Sequence, residues 1–102
     1  SQLIVTVDCG AMAFEALTMA RAAGVDVIVV DHHKCSAELP PTAALVNPNR
    51  LDESDLAASH GHLAAVGVAF LLAIALVRNL RGKGFFHDTR PEPDLMGLLD
   101  LV

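Results

Sequence analysis

Two apolar, β-branched runs, Leu3 to Val7 and Val25 to Val30, each run directly into an aspartate, and a single helix-length stretch separates them. Runs that are apolar at consecutive positions and not only at alternate ones, interrupted here only by Thr6 and Asp26, are what strands buried on both faces of a parallel sheet require. Between them Met12 to Ala23 carries a helical period. Ala13, Leu17 and Ala20 share one face, Glu15 and Arg21 point elsewhere, and Gly24 supplies a C-terminal stop. Strand, helix and strand of these lengths make a βαβ unit with parallel strands and a right-handed crossover. The expected fold class is therefore α/β, a three-layer parallel-sheet arrangement. Asp8 and Asp31 then leave the sheet at the same carboxyl edge, where sites in open α/β sheets form.

The remainder of the chain extends this plan. Lys34 to Pro41 is a loop, because Pro40-Pro41 continues neither a helix nor a central strand. Ala43 to Val46 is a short third strand that ends at Asn47-Pro48-Asn49 and brings a third loop to the functional edge. The two asparagine amides could bond the Asp31-His32-His33 loop or a substrate phosphate, but the turn role is preferred for this Asn-Pro sequence, with Asn47 supporting the ligands from behind. Leu51 to Ser59 reads as a polar surface connection, and a long helix opens at Ser59 or His60 and runs through Leu80. Within it Gly67 is expected to let the helix approach another backbone closely. Gly82 to Pro93 is a linker anchored by Phe85-Phe86, and Asp94 is the expected N-cap of a final helix through Val102.

Composition sets limits on function. Apolar residues make up 53% of the 102 positions and mean hydropathy is +0.47, more than one small domain covers comfortably, so a partner or a second copy of the chain is expected over the excess. The charge-free stretch Leu63 to Val77 falls short of the ~18 to 20 residues that cross a bilayer and is read as a buried core helix, with no membrane partner. A net charge of -5 argues against a free-standing nucleic-acid binder. Arg78, Arg81, Lys83 and Arg90 are read as a solvated helix end whose cations complement the helix dipole. Two cysteines and no secretory signal point to a reduced, cytoplasmic setting.

The chemistry lies in the strand ends. Val7-Asp8-Cys9-Gly10 and Val30-Asp31-His32-His33 deliver carboxylate and imidazole groups, ordinary ligands of divalent cations, to one sheet edge. A zinc site from Cys9, His32, His33 and Cys35 fits no standard finger spacing and is ranked lower. His62, a lone histidine at a helix start, is read as satisfying a backbone group.

Thr6-Val7-Asp8-Cys9-Gly10, Val27 to His33, Leu45-Val46-Asn47-Pro48-Asn49-Arg50 and His62 to Phe70, in this order, resemble the DHH phosphoesterase superfamily and, within it, the RecJ-like single-strand-specific exonucleases. The stretch from Asp94 to Val102 also resembles the segment leading into that family's last acidic motif. The resemblance implies a two-ion manganese or magnesium site in which Asp8 bridges the ions, His32 is a ligand, and His33 faces the phosphate oxygens. It implies that Asp31 fixes a neighbouring imidazole's tautomer and that Asn47 and Asn49 position ligands or substrate. It also implies an upstream Asp-x-Asp motif and a further aspartate beyond Val102. Neither stands in these 102 residues, so residues 1–102 are expected to be a partial DHH domain, with single-stranded DNA as the parent's substrate and the rest of the catalytic domain as its natural cover. The alternatives are a DHH phosphodiesterase or phosphatase acting on short nucleotides, and an inactive fragment that self-associates.

Overall fold

A computed structural model describes residues 2–52, 54–55 and 59–102. Its order is β1 (Gln2–Val7), α1 (Phe14–Ala22), β2 (Val25–Val30), β3 (Ala44–Val46), α2 (Ala65–Gly82) and a 3₁₀ helix (Met96–Leu101). The three strands form one parallel sheet in the order β1-β2-β3. Val7 pairs with Val30 and Val30 with Val46, so all three strands end level. The ladder runs one step further on each side of the centre: Asp8 N–H donates to the Val30 carbonyl and Asp31 N–H to that of Val46, at 2.9 and 3.0 Å. Strand alternation gives β2 two faces. Val27 and Val29 turn to α1, where they join Leu17 and Leu45 in a core flanked by Ala13, Ala20, Cys35 and Leu39. Val30 points the other way and is buried too, and α2 is the second helix that meets β2.

Two apolar segments are not covered as the sequence suggests. β1 was expected to be buried on both faces, yet Leu3, Ile4, Val5 and Val7 are each about half exposed. The reason is topological, since β1 stands at the sheet edge and α1 packs over β2. The expected core helix is likewise buried only at Ala65, Gly67 and Val68, while Leu71, Ile74 and Leu76 face out. With 18 residues and mean hydropathy 1.6, α2 is long and apolar enough to cross a membrane by length and composition. Its later turns are mostly exposed, and the radius of gyration is 15.1 Å, against about 13 Å for a compact chain of this size.

Smaller differences have local causes. α2 starts at Ala65, not at residue 59 or 60, because Ser59 to Leu63 closes a turn through Leu63 N–H to the His60 carbonyl and Ala64 is extended. Gly67 approaches no second backbone; a side chain there would meet Leu63's side chain. The last helix is 3₁₀, with Asp94 accepting from Gly97 N–H at 3.3 Å as a capping residue would. Phe85 and Phe86 pack edge to face, and the Arg90 guanidinium covers Phe85 at 3.7 Å, so this pair organises its own turn.

Candidate metal centre

The level strand ends place Asp8 and Asp31 side by side, and the loops that follow determine what each can do. Asp8 adopts a left-handed backbone with φ 68°, a conformation rare outside glycine but better tolerated by aspartate than by most residues. That twist turns its exposed carboxylate toward the neighbouring loop, where Oδ1 lies 3.0 Å from His32 Nε2. Two donor atoms bound at right angles to one ion, each about 2.1 Å from it, stand about 3 Å apart. The Asp8 and His32 atoms thus already have the spacing of adjacent ligands.

Asp31 is organised differently. It is 2% exposed, and its carboxylate is saturated from four directions. Oδ2 accepts from Ala11 N–H at 3.0 Å, and Oδ1 from the N–H groups of His32 and His33 at 2.8 and 3.3 Å and from the His33 ring at 2.6 Å. Burial pushes this carboxyl up, but the bonds from Ala11, the His33 ring and the two histidine N–H groups outweigh it and hold it below the ordinary aspartate value. The ionised Asp31 fixes the His33 proton on Nδ1 and leaves Nε2 as the outward atom.

The bond from Ala11 depends on Gly10, which sequence reasoning passed over. Gly10 has φ 113°, and a Cβ there would lie 3.1 Å from Val29 and from Thr6 Oγ1. Only glycine lets this loop lie on Val29 and swing Ala11 N–H onto Asp31. The signal was in the sequence: a glycine two residues after a strand-ending aspartate.

The third loop is a clamp, and the turn role preferred for it is too modest. Asn47 is 2% exposed; its Nδ2 donates to the His33 carbonyl at 2.8 Å and to Cys35 Sγ at 3.2 Å, and its Oδ1 accepts from Asn49 N–H at 2.8 Å. Asn49 Nδ2 donates to the His32 carbonyl at 2.5 Å. Consecutive carbonyls of the histidine pair are therefore each held by an amide. Arg50 braces the end of β3 through the Leu45 carbonyl at 2.9 Å and pairs with Asp52.

One donor atom from each of Asp8, Asp31, His32 and His33 lies within 4.8 Å of the others, and neither cysteine belongs to this group. The donor set, two carboxylates and two imidazoles, suits a divalent cation of intermediate hardness. Fold and site together define an α/β domain whose cation-binding side chains gather at the carboxyl edge of a parallel sheet. Residues 1–99 match the DHH family, N-terminal domain, and the chain belongs to this family.

The curated relatives are more particular. The chain is similar to the single-stranded-DNA-specific exonuclease RecJ of Dickeya dadantii and to that of Escherichia coli K12, at 45% identity over all of the chain and 17% of each relative. It is similar to RecJ of Bacillus subtilis at 42% identity, over 76% of the chain and 10% of the relative. The chain thus spans about a sixth of the length of the first of these relatives. No solved structure gives a significant match.

Proposed function

We propose that these residues form part of a metal-dependent phosphodiesterase that hydrolyses single-stranded DNA from the 5′ end in the cytoplasm. The observation that carries this reading is the convergence of Asp8 and His32 at one sheet edge, with the adjacent His33 oriented by a buried, ionised Asp31. Similarity to single-stranded-DNA-specific exonucleases supplies the substrate.

Asp8 and His32 would hold the metal in this reading, through the Asp8 carboxylate and His32 Nε2. Manganese is favoured over magnesium because imidazole is the poorer match to the harder ion. When bound, the ions supply positive charge to a phosphate oxygen and make the attacking water more acidic. His33 presents Nε2 to the phosphate oxygens. Asp31 holds the His33 ring and the 31–33 backbone in one geometry, and Asn47 and Asn49 hold the same loop from the opposite side. The exposed faces of β1 and α2 are protein-packing surfaces in this proposal, covered by the further parts of a catalytic domain or by a second copy, and not by lipid.

The test is manganese-dependent release of nucleotides from a labelled single strand by the full-length gene product. Asp8→Asn and His32→Ala each remove a ligand and should abolish release. Cleavage that survives Asp8→Asn would refute the ligand role of Asp8.

A further inference from the structure

One face of α2 takes no part in the proposed chemistry. Leu71, Ile74, Ala75, Arg78 and Gly82 follow one another at helical spacings of three and four residues and form a single stripe, which with Lys83 lines an open groove of about 610 Å³. Leu71 and Ile74 are 48% and 39% exposed. The stripe is apolar in its first half and cationic toward its end.

The cations at that end differ in how they are engaged. Of the seven Lys and Arg residues in the chain, Arg78, Arg81, Lys83 and Arg90 lie between residues 78 and 90. Arg81 is held by both carboxylate oxygens of Glu92, and Arg90 by the ring and carbonyl of Phe85. The side chains of Arg78 and Lys83 have no partner among the described residues. They are the two that line the groove.

A complementary surface stands on the same chain. The segment from Asp94 to Val102 carries Met96, Leu98, Leu99 and Leu101, each between 47% and 69% exposed, with two carboxylates among them. Asp94 accepts from Gly97 N–H, and the Asp100 side chain has no bond among the described residues. The 3₁₀ helix of this segment packs closely on no other described element. The pair between Arg81 and Glu92 ties the chain just ahead of the segment to the last turns of α2, yet the stripe stays uncovered.

An apolar stripe that ends in two cations and an apolar segment that bears two carboxylates match in hydropathy and in charge. Neither is covered within one copy. Two unlike surfaces of one chain can then meet between copies, and because each copy offers both, a mutual exchange closes about a two-fold axis. Such an exchange covers both grooves and both segments at once, and contiguous exposed apolar surface favours it. We propose that residues 94–102 of one copy dock on the stripe of α2 in a second copy, and reciprocally, with Asp94 and Asp100 set against Arg78 and Lys83. The proposal is independent of the metal centre.

The test is analytical sedimentation of the 102-residue chain and of two charge-reversed variants, Arg78→Glu with Lys83→Glu and Asp94→Lys with Asp100→Lys, each alone and then mixed one to one. Circular dichroism establishes that each variant is folded. The unaltered chain should dimerise, and less so as salt rises from about 0.05 to 0.5 M. Each variant alone sets like charges against each other and should weaken the dimer about a hundredfold. Mixing should restore a dimer to within about threefold of the original affinity, because every segment again meets the opposite charge. Asp100→Lys alone, which leaves the Asp94 cap in place, should weaken the dimer about tenfold, so the effect is not the loss of that cap. A strict monomer, a dimer that both reversed variants retain, or folded variants that fail to associate on mixing would each overturn the proposal. The second of these results would give the association to β1.

Discussion

Replacing Asp31 should be the most destabilising change in this chain per atom removed. In Asp31→Ala the buried Ala11 N–H loses its acceptor in a place water does not reach, at about 1–3 kcal/mol. The N–H groups of His32 and His33 lose a charged acceptor but are only partly buried, so water replaces much of that loss. Recovering the desolvation of the carboxylate offsets a further part, and the net cost is about 3 kcal/mol. For a domain of this size that lowers the thermal midpoint by about 12–20 °C.

Asp31→Asn, the usual conservative choice, offers little relief. If its carbonyl replaces Oδ1, its amide faces Ala11 N–H; if flipped, the amide faces the N–H groups of His32 and His33. Donor meets donor either way. The acid dependence follows from the same bonds. The folded carboxyl titrates below its unfolded value, so its stabilisation is complete above the ordinary aspartate range and is lost as pH falls through the depressed folded value. Circular-dichroism melts of the chain and both variants at pH 7 and stepwise below about pH 4 give the comparison. The gap between the chain and Asp31→Asn should narrow with acid. A loss under about 4 °C at pH 7, or a gap that does not change with pH, would refute the account of Asp31.

Further outcomes follow from the site and the surface. Asp8→Gly should raise the thermal midpoint by a few degrees, about 1 kcal/mol of relieved left-handed backbone, while removing manganese-dependent cleavage from the full-length gene product; activity retained would remove Asp8 from the ligands. Asn47→Ala should cost about 1–3 kcal/mol of stability and weaken manganese activation, yet cost less activity than Asp8→Asn, as read by melts and metal titrations. The 102-residue chain alone should bind manganese more weakly than micromolar and release almost no nucleotide, because Asp8 and His32 leave most of an ion's coordination to water; calorimetry and a digestion assay check both. Sedimentation should show it self-associating as concentration rises, through the half-exposed β1 and α2; a strict monomer at high concentration would refute this.

The βαβ unit was legible because its evidence is local: two runs rich in β-branched residues and one stretch of helical period. The convergence of Asp8 and His32 followed from strand direction alone. That apolar surface would stand uncovered was legible from composition, but the place of β1 at the edge was not, since Leu3 to Val7 reads as a central strand and strand order is a property of the whole sheet. The asparagines show a second limit. Asn-Pro-Asn carries a turn signal, but the partners of its amides are carbonyls 14 and 17 residues earlier, and no local pattern reports a side chain bonding to distant backbone. Ser59 to His62 defeated the helix start for the same reason, since its register is set by Asn49 as well as by its own propensity.

The asparagine clamp has a dynamic consequence. Beyond the sheet, the His32 and His33 carbonyls are held by two side-chain amides, so the ligand loop can open while the three strands stay paired. Breaking the amide bonds to these two carbonyls costs about 2–3 kcal/mol, far less than the whole fold, and frees the segment after His33 about one per cent of the time while Asp31 still holds the histidine N–H groups. Amide exchange at Lys34 and Cys35 should therefore proceed by local opening and be insensitive to mild denaturant, while Val29 and Val30 exchange only with global unfolding. Ion exchange at this site should then follow the same opening, at a rate set by how firmly the two amides grip.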